Sequence, residues 1–307
     1  MDFNVAISQI LILFIIMFIG FAAKKRKVIN EHVHDSISTL LIKVALPAMV
    51  LTSSNFERNS QVLPNMIQIL LITLASYAVI IFISIATARL FRYQKKTASV
   101  YISLLVFGNV GFMGYPVARA FFQEVGVFYA SIINLVFTVF LWTYGIILFN
   151  SEEKINLKKL INIGTVTSVM NILIFLSGIK LPDVLFTALD MTGKMTVPLS
   201  MIFIGATIAD INFKDIVNDN KVYIVSFIKL LAIPVATAFI LKMLGFNSIV
   251  ISICTIMAAM PAGATNAIFA KEFDSEPVFA SVGVFVTTLL SIVTLPINVY
   301  ILTHFVL

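Results

Sequence analysis

Two clusters of helix-breaking and polar residues lie inside long apolar runs, where an unbroken helix would otherwise be expected. The first is GNVGFMGYP, residues 108–116, and the second is MPAGATN, residues 260–266. Each cluster combines glycine, proline and asparagine. Glycine and proline interrupt a helix and leave backbone N–H and C=O groups without helical partners, and the asparagine adds a side-chain amide beside them. Such groups bind small polar solutes, and the N-terminal end of a broken helix favours an anion. The candidate ligand-binding residues are Asn109, Gly111, Gly114, Pro116, Pro261, Gly263 and Asn266.

Three lysines also fall within apolar runs, where each needs a partner or a cavity because a lysine at the bilayer centre costs about 2.5–3.5 kcal/mol. Lys43 and Lys194 lie near the middle of their runs and are predicted to face the anion. Asp190 lies one turn before Lys194 and could pair with it instead. Lys43 could also pair with Asp190 between helices. Lys229 lies nearer the end of its run, and we interpret its ammonium as reaching the membrane surface.

Asp190 is the one acid well inside an apolar run and is therefore the candidate for proton coupling. Sodium coupling is disfavoured, because the clusters supply asparagines, Thr265 and carbonyl groups but no carboxylate. The three histidines lack the spacing of a metal site. No catalytic set of serine, histidine and aspartate can be placed at one depth of a membrane. We therefore expect no enzyme, no metal, no cofactor and no nucleic-acid partner.

The elements that must position these residues are membrane helices. Of the 307 residues, 60% are hydrophobic and 12% are charged, and the repeated apolar runs of about 20 residues match the thickness of a bilayer. The sequence therefore predicts an all-α polytopic membrane protein. Its ten transmembrane helices are predicted at 5–23, 35–55, 63–89, 97–122, 125–149, 158–178, 183–209, 220–244, 248–271 and 277–304.

The basic residues predict the orientation of these helices. If the N-terminus lies outside, 14 of the 21 lysines and arginines fall in cytoplasmic loops and 4 fall in outer loops. Such an excess marks the cytoplasmic side, so both termini are predicted to lie outside. The cytoplasmic set is Lys24, Lys25, Arg26, Lys27, Arg89, Arg92, Lys95, Lys96, Lys154, Lys158, Lys159, Lys214, Lys221 and Lys271, and the outer set is Arg58, Arg119, Lys180 and Lys242.

The two halves of the chain resemble each other. KVALP at 43–47 has a counterpart in KMTVP at 194–198, and VFYASI at 127–132 has one in PVFASV at 277–282. Both pairs are offset by about 150 residues, which also brings the two helix-breaking clusters into register. Because each half holds an odd number of spans, the second must be inverted relative to the first. We predict two five-helix repeats, 1–150 and 151–307, with spans 4 and 9 broken.

The two clusters resemble the paired crossover motifs of the auxin efflux carrier family, which includes plant auxin exporters and bacterial permeases for malate and other carboxylates. The resemblance extends over nearly the whole chain and implies the fold of the bile-acid/sodium symporter superfamily. Spans 1, 2, 6 and 7 would form a scaffold, and spans 3–5 and 8–10 a transport domain in which spans 4 and 9 cross. It implies that Asn109, Pro116 and Pro261 lie near the substrate. The long cytoplasmic loop of many plant members is absent, as in compact prokaryotic members.

The sequence thus predicts a secondary active or facilitative transporter of small organic anions, namely mono- or dicarboxylates or auxin-like acids, with elevator-type alternating access. It is expected in the bacterial cytoplasmic membrane. The expected partners are the anion and the lipid bilayer, and a homodimer is compatible with the sequence. Two alternatives stay open: a bile-acid-like sodium-coupled symporter and, less favoured, a membrane receptor for an organic anion.

Overall fold

A computed structural model describes residues 3–56, 59–150, 157–209 and 220–307 of the chain. Across these residues the chain is helical, with one isolated antiparallel bridge and no strand. Three of the basic residues used to predict orientation, Arg58, Lys154 and Lys214, lie outside the described part.

The helices follow one another along the whole chain. The first half contains α1 (Phe3–Lys25), α2 (Glu31–Leu40), α3 (Leu46–Thr52), α4 (Val62–Leu90), α5 (Lys95–Val106), α6 (Tyr115–Phe140) and α7 (Ile146–Phe149). The second half contains α8 (Ile163–Ser177), α9 (Asp183–Lys194), α10 (Thr196–Ala209), α11 (Asn220–Phe227), α12 (Ile233–Met243), α13 (Ser248–Ala258), α14 (Thr265–Glu272) and α15 (Pro277–Ile301). Short π-helices lie at Leu41–Ala45, Val110–Gly114, Leu141–Gly145, Ile228–Ala232 and Leu302–Val306, and a 3-10 helix lies at Leu157–Leu160.

Seven helical segments of the described chain are long and apolar enough to cross a membrane. They are Phe3–Lys25, Glu31–Thr52, Val62–Leu90, Val110–Phe149, Asp183–Ala209, Asn220–Met243 and Pro277–Val306. Two shorter apolar helices, Ile163–Ser177 and Ser248–Ala258, fall within the sixth and ninth predicted spans. Gln123, with φ 54°, interrupts α6 where the fourth and fifth predicted spans meet. The prediction of a polytopic α-helical membrane protein is confirmed, and the arrangement as ten helices in two inverted repeats stays a prediction.

Two of the π-helices end two residues before a proline, Leu41–Ala45 before Pro47 and Ile228–Ala232 before Pro234. Proline has no N–H to donate, and its ring crowds the preceding turn. The chain relieves this crowding by widening the turn, so that the N–H of the residue after each π-helix reaches back five residues. Lys229 lies in the second of these widened turns.

The chain divides into two compact units. The first comprises Met1–Met66, Gly111–Leu135 and Ile161–Ile211, and the second comprises Ile67–Val110, Val136–Leu160 and Asn212–Leu307. The boundary between two sequence repeats need not coincide with the boundary between two compact units. The repeats 1–150 and 151–307 therefore stay a prediction.

In the first unit, α1 packs along α10, and α3 packs against α8 and α9. Gly205 of α10 lies so close to the backbone oxygen of Met17 that a Cβ atom at this position would overlap it. Small residues allow membrane helices this close approach. Asn171 of α8, which is fully buried, donates a hydrogen bond to the hydroxyl of Ser53 over 3.1 Å.

In the second unit, α15 packs against α5, α11 and α14, and α12 packs against α13. α15 is the longest helix of this group and carries buried residues along its whole length, from Phe279 to Val299. The unit contains residues 107–109 and 259–264, which are the non-helical stretches at the two sequence clusters. The candidate site is therefore built around α5, α13, α14 and α15.

Candidate functional site

The first break lies at the end of α5. The helix ends at Val106, and Phe107, with φ −97° and ψ 89°, turns the chain out of the helical path. Helical structure resumes at Val110 as a π-helix. Gly108 and Asn109 lie between, as the sequence predicts for this cluster.

The second break separates α13 from α14. α13 ends at Ala258, and α14 begins at Thr265. Pro261 has no N–H to continue a helix, and it disfavours a helical conformation for the preceding residue, Met260. Both breaks predicted from glycine and proline content are present.

The two breaks pair through their backbones, and we call the paired residues 107–109 and 259–264 the crossing. Gly108 and Ala262 form an antiparallel bridge. The N–H of Asn109 donates to the oxygen of Pro261 over 2.6 Å, and the N–H of Gly263 donates to the oxygen of Phe107 over 3.0 Å. Hydrocarbon cannot satisfy the polar groups that a broken helix releases, so a break within a membrane needs protein or water as its partner. Here each break supplies partners for the other.

Asn266, in the first turn of α14, connects the two breaks through hydrogen bonds of its side chain. Its side-chain NH₂ group donates to the oxygens of Phe107 and Gly263 over 2.9 and 2.7 Å. Its side-chain oxygen accepts a hydrogen bond from the hydroxyl of Ser103 on α5. Asn266 is buried, and both ends of its amide are used. The described geometry therefore gives Asn266 a role in holding the crossing.

A third helix also supports the crossing. The N–H of Ala262 donates to the hydroxyl oxygen of Thr287 on α15 over 3.1 Å. The Thr287 hydroxyl in turn donates to the oxygen of Gly283, one turn earlier, over 2.7 Å. Because this threonine satisfies an N–H that lies outside any helix, α15 is tied directly to the second break.

Lys229 lies at the crossing, and its interpretation as a lysine that reaches the membrane surface is wrong. The residue is 3% exposed, and its ammonium donates to the oxygen of Leu105 in the last turn of α5 over 3.0 Å. A Cβ atom on Gly108 would lie 3.1 Å from the Lys229 nitrogen, so the ammonium fits closely against this glycine. No aspartate or glutamate of the described chain forms an ion pair with Lys229.

The widened turn that carries Lys229 is held by a second polar residue. The side-chain NH₂ group of Asn298 on α15 donates to the oxygen of Leu230 over 2.7 Å. Pro234 lies four residues after Leu230 and has no N–H for that oxygen, so Asn298 supplies the missing donor. Asn298, Ser103 and Thr287 were not singled out from the sequence, and Lys229 was singled out but assigned to the membrane surface. For Lys229 a signal existed, because IKLLAIP at 228–234 is similar to LIKVALP at 41–47.

The structure brings some of the predicted site residues together and places the others elsewhere. Asn109, Pro261, Gly263 and Asn266 meet at the crossing in the second unit. The remaining predicted residues, Gly111, Gly114, Pro116, Lys43, Lys194 and Asp190, belong to the first unit. Gly111 and Gly114 lie in the π-helix Val110–Gly114, and Pro116 lies in the first turn of α6.

Asp190 belongs to a charged network within the first unit. Its carboxylate lies 2.5 Å from the Lys194 ammonium and 3.4 Å from the Arg119 guanidinium, which also contacts Glu124 over 3.2 Å. The pairing of Lys194 with Asp190 is the local alternative that the sequence left open. Lys43 is exposed, and Asp190 does not pair with it.

Metal ligands are not gathered anywhere in the described chain. Over residues 3–56, 59–150, 157–209 and 220–307 no group of three or more histidine, cysteine, aspartate or glutamate side chains could hold an ion. The polar groups at the crossing are instead amides, hydroxyls, backbone groups and one ammonium. Such a set can bind a small polar or anionic molecule through hydrogen bonds and charge.

Comparisons with known proteins find membrane transporters as relatives of this chain. A family model described as membrane transport protein matches residues 5–159 and 150–299. The chain is 25% identical to an uncharacterized transporter of Methanocaldococcus jannaschii, with 98% of this chain and 100% of the relative covered. It is 26% identical to an uncharacterized transporter of Methanothermobacter thermautotrophicus, with 97% and 98% covered. It is 21% identical to the uncharacterized transporter YfdV of Escherichia coli K12, with 96% and 97% covered.

Proposed function

The chain belongs to the membrane transport protein family, which includes the auxin efflux carriers, and from that premise we propose that it is a secondary carrier of small organic anions. The proposed substrates are mono- or dicarboxylates or auxin-like acids. Transport is either driven by an ion gradient or facilitative, and the chain performs no chemical reaction on its substrate.

The observation that carries this proposal is the buried ammonium of Lys229 at the crossing. It has no acidic partner among the described residues, so the crossing holds a formal positive charge in a region of low dielectric constant. Charge interactions are much stronger there than in water. An ionisable residue at membrane depth normally belongs to a substrate or ion pathway. A carboxylate is the substrate group that such a charge favours.

The start of α14 adds to the same preference. The helix begins at Thr265, immediately after the second break, so the partial positive charge of its N-terminus lies beside the crossing. The hydroxyl of Thr265 is buried and has no hydrogen-bond partner among the described residues. A carboxylate oxygen would provide an acceptor for groups of this kind.

The proposed mechanism follows from the predicted architecture. Ten spans form two inverted five-helix repeats, spans 1, 2, 6 and 7 serve as a scaffold, and spans 3–5 and 8–10 carry the substrate by an elevator movement. Both termini lie outside the cytoplasmic membrane, and the carrier works in the lipid bilayer as a monomer or a homodimer. Paired broken helices in corresponding halves support this arrangement, because they are a common feature of secondary transporters.

Uptake into proteoliposomes tests the proposal. Purified protein is reconstituted, and entry of radiolabelled mono- and dicarboxylates is compared with entry of the matched neutral amides. We expect saturable uptake of at least one acid, competition by other carboxylates, and no competition by the amides. Protein-free liposomes and liposomes that contain the Asn109→Ala variant serve as controls. Equal transport of an amide and its acid would contradict an anion carrier.

A further inference from the structure

The ammonium of Lys229 lies where α5 ends. The last carbonyl groups of a helix have no N–H partners within it, and together they carry a partial negative charge. Leu105 contributes one of these carbonyl groups and accepts the Lys229 hydrogen bond over 3.0 Å. The lysine thus provides a positive charge at the negative end of a broken helix.

The carbonyl end of the second break lies nearby. The position that a Cβ atom of Gly108 would take is 3.1 Å from the Lys229 nitrogen and 3.5 Å from the backbone oxygen of Met260. Met260 follows the end of α13, so an oxygen from the end of α5 contacts the ammonium and an oxygen beyond the end of α13 lies beside the same Gly108 position. In secondary transporters, unwound carbonyl groups and helix C-terminal ends of this kind coordinate the coupling cation.

We propose that Lys229 is a tethered cation that occupies the position of a coupling metal ion at the crossing, so that the carrier works without sodium. This inference rests on the proposed function. The lysine neutralises the carbonyl ends of the broken helices permanently, which a bound ion would do only while it is present. Gly108 leaves room for it, because a Cβ atom there would lie only 3.1 Å from the ammonium nitrogen, a tight contact.

The test compares the wild-type protein with Lys229→Ala in media that contain sodium or N-methylglucamine as the cation. Wild-type carboxylate uptake should be the same in both media. In N-methylglucamine, Lys229→Ala uptake should fall by about tenfold, the typical effect of losing a charge-assisted hydrogen bond. Sodium should restore uptake in part, because the substitution empties a space lined by carbonyl oxygens. Wild-type uptake that requires sodium, or Lys229→Ala uptake equal to wild type in N-methylglucamine, would overturn the proposal.

Thermal unfolding in detergent gives a measurement that needs no substrate. Sodium should raise the Tm of Lys229→Ala and leave that of the wild type unchanged, because a ligand that binds only the folded state stabilises it. A sodium-induced rise of equal size in both proteins would contradict the inference. If no carboxylate is transported at all, the proposed function fails, and the Tm comparison still decides the role of Lys229.

Two matched variants separate the site from lysine loss in general. Lys242→Ala removes an exposed lysine of α12 that donates to the backbone oxygen of Phe305 over 2.9 Å, and it should behave as the wild type in both media. Lys229→Met removes the charge but fills the space, so sodium should not restore its uptake. If Lys229→Ala does not fold, the cation dependence of wild-type uptake decides the proposal. Sodium rescue of Lys229→Met to the same extent as Lys229→Ala would count against a vacated cation site.

Discussion

The side-chain amide of Asn266 donates a hydrogen bond to the backbone oxygen of Phe107 over 2.9 Å, although 159 residues separate the two along the chain. Phe107 is the residue at which the chain leaves α5, and Asn266 belongs to the first turn of α14. One buried amide therefore joins the two breaks. This bond gives Asn266 a structural role in addition to the substrate binding predicted for it from the sequence.

We predict that Asn266→Asp destabilises the protein as well as stopping transport. The substitution replaces the NH₂ donor with an oxygen that faces the oxygens of Phe107 and Gly263. Each of these oxygens keeps one backbone N–H partner, so we expect a loss of about 1–3 kcal/mol rather than complete unfolding. Thermal unfolding in detergent and uptake into proteoliposomes measure the two effects. An unchanged Tm would show that the amide does not hold the crossing.

For Asn109 we expect the opposite balance between stability and transport. Its backbone N–H, which substitution does not remove, makes the link to Pro261, and its side chain is partly exposed. Asn109→Ala should therefore lower the Tm less than Asn266→Asp does and leave the amount of protein in the membrane close to that of the wild type. Its uptake rate should fall by roughly 5- to 100-fold if the amide binds the substrate with the energy of a typical polar contact. Uptake at the wild-type rate would place the substrate elsewhere.

Gly108→Ala is predicted to disturb the Lys229 ammonium. The added methyl group would lie 3.1 Å from that nitrogen, and overpacking of this kind costs about 1–3 kcal/mol. Gly111→Ala is the matched control for stability, because a Cβ atom there has no atom within 4 Å. The Tm should fall for Gly108→Ala and stay unchanged for Gly111→Ala. Equal Tm values for the two variants would show that the space beside Lys229 is not restrictive.

The breaks could be predicted from sequence because glycine and proline act locally. Pro261 removes its own N–H wherever the chain folds, and the pairing of Asp190 with Lys194 needs only one helical turn. The partners of the breaks could not be predicted in this way. The bond from the Asn109 N–H to the Pro261 oxygen joins residues 152 apart in the sequence, and only the packing of α5 against α14 brings them together.

Lys229 shows the same limit more clearly. Its position in the helix predicts an ammonium at the membrane surface. This prediction is wrong because a position in a helix says nothing about the neighbouring helix. Its burial depends on α5, whose end lies 124 residues away in sequence. The widened turn that directs it depends on Pro234 and on Asn298 of α15. The similar turn at Lys43 also has a lysine before a proline, but the offset of about 150 residues between the halves pairs it with Lys194.

Proton coupling through Asp190 stays a prediction, and the Asp190→Asn variant separates it from a structural role. Arg119 would keep Glu124 as a partner at 3.2 Å, so the network should be weakened rather than lost and the protein should fold. If Asp190 carries the proton, the variant should still exchange carboxylate but should no longer accumulate it in response to a pH gradient. Accumulation at the wild-type level would remove Asp190 from the coupling mechanism.

The orientation with both termini outside can be tested with two exposed valines. Val28 is 69% exposed between α1 and α2, on the predicted cytoplasmic side, and Val184 is 85% exposed at the start of α9, on the predicted outer side. Asn30, in the same loop as Val28, is unsuitable for cysteine substitution, because its side chain accepts a hydrogen bond from the Val33 N–H and so caps α2. Each valine is replaced by cysteine in a Cys254→Ser background, which removes the only native thiol.

In intact cells, an impermeant maleimide should label Val184→Cys and should reach Val28→Cys only after the membrane is permeabilised. The physical reason is the charge asymmetry, since loops rich in lysine and arginine stay on the cytoplasmic side. The residues just before Val28 are Lys24, Lys25, Arg26 and Lys27, the densest basic group in the chain. Cys254→Ser without an added cysteine gives the background signal. Labelling of Val28→Cys from outside, with Val184→Cys protected, would reverse the orientation and place both termini in the cytoplasm.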